Sequence, residues 1–65
     1  MKNNIQSFRK ERRITQEELA VAVDVTRQTI ISLESERYNA SLQLAFKIAQ
    51  FFKLSIEEIF IFEEE

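Results

Sequence analysis

The 65-residue chain contains neither cysteine nor histidine, which excludes disulfides and any metal site built on thiolate or imidazole ligands. The same absences exclude Cys–His and Ser–His catalysis, and the absence of glycine excludes the glycine-rich loops that bind phosphate. A net charge of -2, with 45% hydrophobic and 31% charged residues, is typical of a small folded domain. We therefore predict a single domain over residues 1–65 that is not an enzyme and needs no cofactor.

The charged residues alternate in blocks along the chain. Residues 1–13 and 37–53 are mainly basic, whereas residues 14–36 and 54–65 are mainly acidic. This order is compatible with one basic and one acidic face, and also with a solvated surface of mixed charge. No apolar stretch approaches the length of a membrane span, and no secretory signal pattern is present, so we expect a cytoplasmic protein without membrane association.

Hydroxyl side chains mark the predicted helix starts, because the chain has no Gly or Pro to mark helix ends. Thr15 and Ser55 each stand three residues before a Glu, which is the pattern of a capping box. Thr26 and Ser41 precede two further segments as simple hydroxyl caps. Apolar residues at helical spacing then predict five short helices, over residues 4–12, 16–23, 27–34, 42–52 and 56–60.

Residues 16–34 are the most informative part of the chain. Two predicted helices are joined by only three residues, 24–26, and such a short turn sets them steeply across each other, as in a helix-turn-helix. The crossing needs a small side chain, which Ala20 supplies, and a residue that tolerates positive φ, which Asp24 does. The predicted core contains Ile5, Phe8, Leu19, Ile30, Leu33, Ile48 and Phe52.

The outward face of the third helix carries side chains suited to reading nucleic acid. Arg27 and Gln28 lie on its first turn, and Arg and Gln have the bidentate geometry that matches guanine and adenine edges. Thr29, Ile31 and Ser32 follow. These residues can also be merely solvated.

A family resemblance is carried by the string Gln16-x-x-Leu19-Ala20-x-x-x-Asp24-Val25-Thr26-x-x-x-Ile30-x-x-Leu33-Glu34 together with residues 38–42 and 56–60. It resembles the Cro/repressor (Xre) family, in particular its compact bacterial members. The resemblance implies an all-α, lambda-repressor-like domain of five short helices, with helices 2 and 3 as the helix-turn-helix at residues 16–34. It implies base contacts by Arg27, Gln28, Thr29 and Ser32, and phosphate contacts by Gln16, Thr26, Arg37, Tyr38 and Asn39.

The sequence departs from the family pattern at three turn positions. Asp24 and Glu36 stand where glycine is common, and Ala40 stands where proline is frequent. If Glu36 adopts positive φ, the left-handed conformation costs about 1 kcal/mol.

The predicted function is that of a transcriptional regulator that binds double-stranded DNA. We expect a repressor that binds a pseudo-palindromic operator as a homodimer, with no small-molecule effector. The alternative is an antitoxin-like protein-interaction module, although the chain lacks the disordered tail that such proteins use to wrap a partner.

The predicted dimer interface lies near the C-terminus, at about residues 54–63. Four consecutive large apolar residues exceed what a short terminal helix is expected to bury within its own domain. Because they are β-branched and aromatic, they can also extend as a strand and pair with the N-terminal residues or with a second copy. The alternative is that the segment folds back onto Phe51 or Phe52 of the same chain. These residues are Ile59, Phe60, Ile61 and Phe62.

Overall fold

The computed structural model describes residues 1–61, which form five α-helices and no strand. Helices α3 and α4 match the predicted bounds, whereas α1, α2 and α5 each end one residue earlier than predicted and α1 begins one residue later. None of the helices in residues 1–61 is long and apolar enough to cross a membrane. The helices are α1 (Ile5–Glu11), α2 (Gln16–Ala22), α3 (Arg27–Glu34), α4 (Leu42–Phe52) and α5 (Ile56–Ile59).

The predicted hydroxyl caps are confirmed at four helix starts. The Thr15 hydroxyl accepts from the Glu18 amide at 3.0 Å, and the Glu18 carboxylate accepts from the Thr15 amide at 2.9 Å. Ser55 and Glu58 form the same reciprocal pair at the start of α5. These bonds satisfy amide groups that no preceding turn can satisfy. The two simple caps are Thr26 for α3 and Ser41 for α4.

Four helices end in a left-handed residue although the chain has no glycine. In α2, the Asp24 amide donates to the Val21 carbonyl at 3.3 Å, and the Val25 amide donates to the Ala20 carbonyl at 2.9 Å. This pair of bonds is the Schellman motif, and the corresponding pair closes α1, α3 and α4. Positive φ was predicted for Asp24 and considered for Glu36, and both have it. The four left-handed residues are Arg13, Asp24, Glu36 and Lys53.

The core is formed by buried residues from one face of each helix. Leu19 and Ala20 of α2 lie buried together with Ile30 and Leu33 of α3 in one core cluster. Val25, in the turn between them, packs against the same core. Of the seven predicted core residues, six are buried and Phe8 is half-buried at the edge.

The end of the described chain pairs with its beginning. Asn3 and Phe60 form an antiparallel β-bridge, the Asn4 amide donates to the Ile59 carbonyl at 2.7 Å, and the Ile61 amide donates to the Lys2 carbonyl at 2.9 Å. Of the two partners left open for an extended tail, the structure shows the N-terminal residues, which pair with it through a single bridge and not as a strand. This pairing closes the fold between α1 and α5.

The expectation that Ile59 and Phe60 remain exposed for a second copy is wrong. Their exposed fractions are 0% and 1%, because the bridge to Asn3 turns the segment into the core of its own chain. Ile61 remains 40% exposed, and Phe62 lies outside the described residues. For Ile59, the alternative of folding back within the chain is the one that the structure supports, since Ile59 and Phe52 belong to one core cluster.

Candidate nucleic-acid interface

The end of α3 differs from the other helix ends in the residue that follows the left-handed position. After α1, α2 and α4 this residue is Ile14, Val25 or Leu54, and each packs against the core. After α3 it is Arg37, which is exposed. The usual apolar contact of the motif is therefore absent at this end, and a cation stands on the surface beside α3.

Arg37 and Tyr38 lie beside the outward face of α3 and share a shallow depression with it. Gln28 is exposed at this surface, while Thr29 and Ser32 are half-buried. The Thr26 hydroxyl accepts from the Thr29 amide at 3.3 Å and lies 3.1 Å from the Thr29 hydroxyl. Six of the nine residues predicted to contact DNA thus line one depression: Thr26, Gln28, Thr29, Ser32, Arg37 and Tyr38.

The other three predicted contact residues lie outside this depression. Arg27 is the first residue of α3 and is exposed, and Asn39, which directly follows Tyr38, is also exposed. Gln16, the first residue of α2, is half-buried, and its side-chain amide donates to Glu34 at 3.1 Å. Gln16 and Arg27 thus begin the two helices of the helix-turn-helix, and Asn39 follows its end.

An adjoining depression adds two residues that the sequence reasoning missed. Gln43 and Lys47 of α4 line it together with Thr29, Tyr38 and Ser41. Their positions on the outward side of α4 are readable from its periodicity, but only the folded chain brings this side of α4 against the loop after α3. Lys47 is therefore a second cation, after Arg37, on the surface formed by the two adjoining depressions.

The two depressions beside α3 differ from the rest of the described surface in the charged residues that line them. Among residues 1–61, no carboxylate lines either of the two depressions beside α3. Glu17 and Glu18 line an apolar depression with Val21 and Phe51, and Asp24 lines another between α2 and α4 together with Lys47. The charged residues that line the two depressions beside α3 are therefore the cations Arg37 and Lys47, although the net charge of the chain is negative.

A buried ion pair holds the last residue of α3 against α1. Arg9 Nε donates to Glu34 Oε2 at 2.7 Å, and Arg9 Nη2 donates to Glu34 Oε1 at 3.1 Å. Arg9 Nη1 also donates to the Ile14 carbonyl at 2.8 Å. The hydrogen bonds to Glu34 raise the pKa of Arg9. The sequence reasoning missed this pair, although Arg9 follows Ile5 at the i+4 spacing of a buried face.

Comparisons with known proteins identify the family of the helix-turn-helix. A family model for the helix-turn-helix (HTH_3) matches residues 5–59. An HTH-type transcriptional regulator of Methanocaldococcus jannaschii, MJ0272, is 51% identical over 65 residues, covering 100% of this chain and 98% of that protein. An HTH-type transcriptional regulator of Archaeoglobus fulgidus is 54% identical, covering 100% of this chain and 92% of that protein. The regulator YgzD of Bacillus subtilis is 42% identical, covering 100% and 98%.

Among solved structures, the chain is similar to the clp gene regulator ClgR of Corynebacterium glutamicum, with a TM-score of 0.77 and 28% identity. The likeness covers 83% of this chain, which spans 57% of the length of ClgR. The five-helix arrangement, the helix-turn-helix at α2 and α3 and the full-length relatives lead to one assignment: the chain belongs to the HTH_3 (Xre-type) family of helix-turn-helix transcriptional regulators.

Proposed function

We propose that the protein is a sequence-specific repressor that inserts the start of α3 into the major groove of double-stranded DNA. The observation that supports this most directly is the exposed surface on which α3 meets Arg37 and Tyr38 without an intervening carboxylate. In helix-turn-helix proteins the second helix lies in the groove, and its N-terminal residues are nearest the bases. The proposed setting is the cytoplasm, and no small-molecule effector is part of the proposal.

The proposed base contacts come from the first two turns of α3. The side chains of Arg27 and Gln28 form no hydrogen bond within the described residues, and both residues are exposed, so these side chains are available to guanine and adenine edges. Thr29 and Ser32 are half-buried beside them and reach less far. Arg27 and Gln28 therefore carry most of the proposed sequence discrimination.

The proposed phosphate contacts surround these base contacts. Arg37, Tyr38 and Asn39 follow α3 along the surface, and Thr26 and Gln16 stand at the starts of α3 and α2. Such contacts hold the protein in register on the duplex without reading sequence. Bound at a promoter, the domain blocks access by other proteins, which is the basis of the proposed repression.

The proposed active form is a two-fold dimer, because one reading helix covers too few base pairs to select a site among many competitors. A pseudo-palindromic operator then places two copies of α3 about 34 Å apart. With Ile59 and Phe60 buried, the exposed apolar residues available for such a contact include Leu42 and Phe46, one turn apart on α4 and 81% and 51% exposed. We include these two residues with Ile61 in the proposed interface.

Paired arginine substitutions test the DNA-reading proposal. Arg27→Ala should weaken binding to the DNA upstream of the protein's own gene more than binding to a random duplex, since losing a bidentate base contact costs about 1–3 kcal/mol of discrimination. Arg37→Ala, which removes a proposed phosphate contact, should weaken both by the same factor. Equal losses for Arg27→Ala on the two duplexes would contradict a base contact. A parent protein that binds neither duplex would contradict the proposed function.

Sedimentation of single variants tests the dimer. Phe46→Glu and Leu42→Glu should each shift the protein toward monomer and lower operator affinity, because a charge is buried at the centre of the contact. Val21→Glu, at an exposed apolar position of α2, is the matched control and should remain dimeric. If the parent is monomeric at micromolar concentration, the dimer proposal fails. If both α4 variants stay dimeric, the interface lies elsewhere.

A further inference from the structure

The carboxylate of Glu34 joins the end of α3 to the start of α2. Its Oε1 accepts from Gln16 Nε2 at 3.1 Å as well as from Arg9 Nη2 at 3.1 Å, and its Oε2 accepts from Arg9 Nε at 2.7 Å. The side chains of Arg9 and Glu34 are only 10% and 4% exposed, whereas Gln16 is half-buried. Gln16 is therefore the member of this network that reaches the surface.

The bond from Gln16 is not needed to neutralise Glu34. Arg9 already donates to both carboxylate oxygens, and this bidentate pairing balances the charge. The third bond instead constrains Gln16. An ionised carboxylate only accepts hydrogen bonds, so the side-chain amide of Gln16 must turn its nitrogen, and not its oxygen, toward Glu34.

This orientation determines what Gln16 presents to its surroundings. The Nε2 group has two hydrogens, and the structure shows a partner for one of them among residues 1–61. The second hydrogen remains available, and a phosphate oxygen, which also only accepts, is a suitable partner for it. If the amide were reversed, its carbonyl oxygen would face the carboxylate, and the two acceptors would repel.

We propose that Glu34 is a positioning residue that orients the Gln16 amide to donate to a DNA phosphate, with Arg9 neutralising Glu34 so that its charge does not repel that phosphate. This inference rests on the proposed function, because it concerns one of the proposed phosphate contacts. Glu34 itself touches no DNA in this arrangement. It links the start of α2 to the end of α3, so the phosphate contact and the reading helix keep one relative position.

The free protein provides the first test. In the parent, the two Nε2 protons of Gln16 should differ in NMR shift by more than those of the exposed Gln50, since one of them is bound to a carboxylate. In Glu34→Gln both shifts should move toward those of an exposed glutamine, because a neutral amide both donates and accepts and allows Gln16 either orientation. Gln50, an exposed glutamine of α4, is the internal control and should not change. An unchanged Gln16 signal in a folded Glu34→Gln variant would overturn the proposed orientation.

A double-mutant cycle on DNA provides the second test. Gln16→Ala is measured in the parent and in Arg9→Met/Glu34→Leu, which removes one positive and one negative charge and so keeps the net charge. A random-sequence duplex at low salt is the probe, because phosphate contacts do not depend on sequence. In the parent, Gln16→Ala should lower the affinity for this duplex about fivefold, because the loss of one hydrogen bond of about 1 kcal/mol corresponds to that factor. In the double variant the same change should have a smaller effect, because an unconstrained Gln16 amide points its hydrogens at the phosphate only part of the time.

The outcomes separate the inference from the proposed function. If Gln16→Ala costs the same factor in both backgrounds, Glu34 is only structural and the inference is overturned, while DNA binding stands. If the parent does not bind the duplex, the proposed function fails and the inference fails with it. Should the double variant not fold, Glu34→Gln serves as the second background, and a reduced effect of Gln16→Ala is again expected. Gln50→Ala should leave affinity unchanged throughout.

Discussion

Replacing Arg9 by Met tests how strongly the buried ion pair stabilises the domain. Met fills much of the same space but leaves the Glu34 carboxylate, 4% exposed, without its counter-charge. Removing one partner of a buried pair costs about 3–5 kcal/mol. At about 0.05–0.15 kcal/mol per residue, the total stability of a 65-residue chain is about 3–10 kcal/mol. Arg9→Met should therefore remove a third or more of the total stability.

Urea and thermal denaturation followed by circular dichroism measure this loss. Since 1 kcal/mol corresponds to about 4–8 °C in a domain of this size, Tm should fall by at least about 12 °C. The matched control is Arg9→Met/Glu34→Leu, which removes both charges. It should recover most of the lost stability, because apolar residues of similar volume often replace a buried ion pair without cost.

Two results would refute the reasoning. The first is a decrease of less than about 1 kcal/mol in the free energy of unfolding for Arg9→Met. Exposed ion pairs contribute about this much, so burial would then add nothing to the contribution of the pair. A double variant as unstable as the single one would place the loss elsewhere. It would then come from the Arg9 bond to the Ile14 carbonyl, which both variants lack, and not from an unpaired Glu34.

Two further predictions concern helix ends. The capping bonds to Thr15 lower the pKa of Glu18 below its ordinary value of 4.5, so their stabilisation is complete above pH 4.5 and is lost as the pH falls through the lower folded-state pKa. Glu18→Gln should flatten the dependence of the urea midpoint on pH in this window, whereas Glu17→Gln should not. Lys53→Gly should raise stability by about 1 kcal/mol, because φ is 59° there. Gln50→Gly, inside the same helix, should lower it by a similar amount. A destabilised Lys53→Gly variant would contradict this explanation.

The sequence by itself determined where four of the five helices begin and which faces of the helices are buried. Caps such as Thr15 and Ser55 bond to amides three residues away, and the buried residues of α4 recur at each turn of the helix. Both patterns can therefore be recognised within one short segment of sequence. The turn at Asp24 is similarly local. These features require no knowledge of distant parts of the chain. The residues of the outward face of α3 follow from them, because the inward positions are already assigned to the core.

Only the tertiary structure decided how distant segments meet. Arg9 is paired with Glu34 across 25 positions, and the short-range pattern of neither segment predicts the other as its partner. Phe60 belongs to a run of large apolar residues that suggested an interface, yet pairing with Asn3 buries it in its own chain. The physical reason is the same in both cases. Whether a side chain is buried depends on which distant segment packs over it. The periodicity of the sequence indicates only on which face of its own helix the side chain lies.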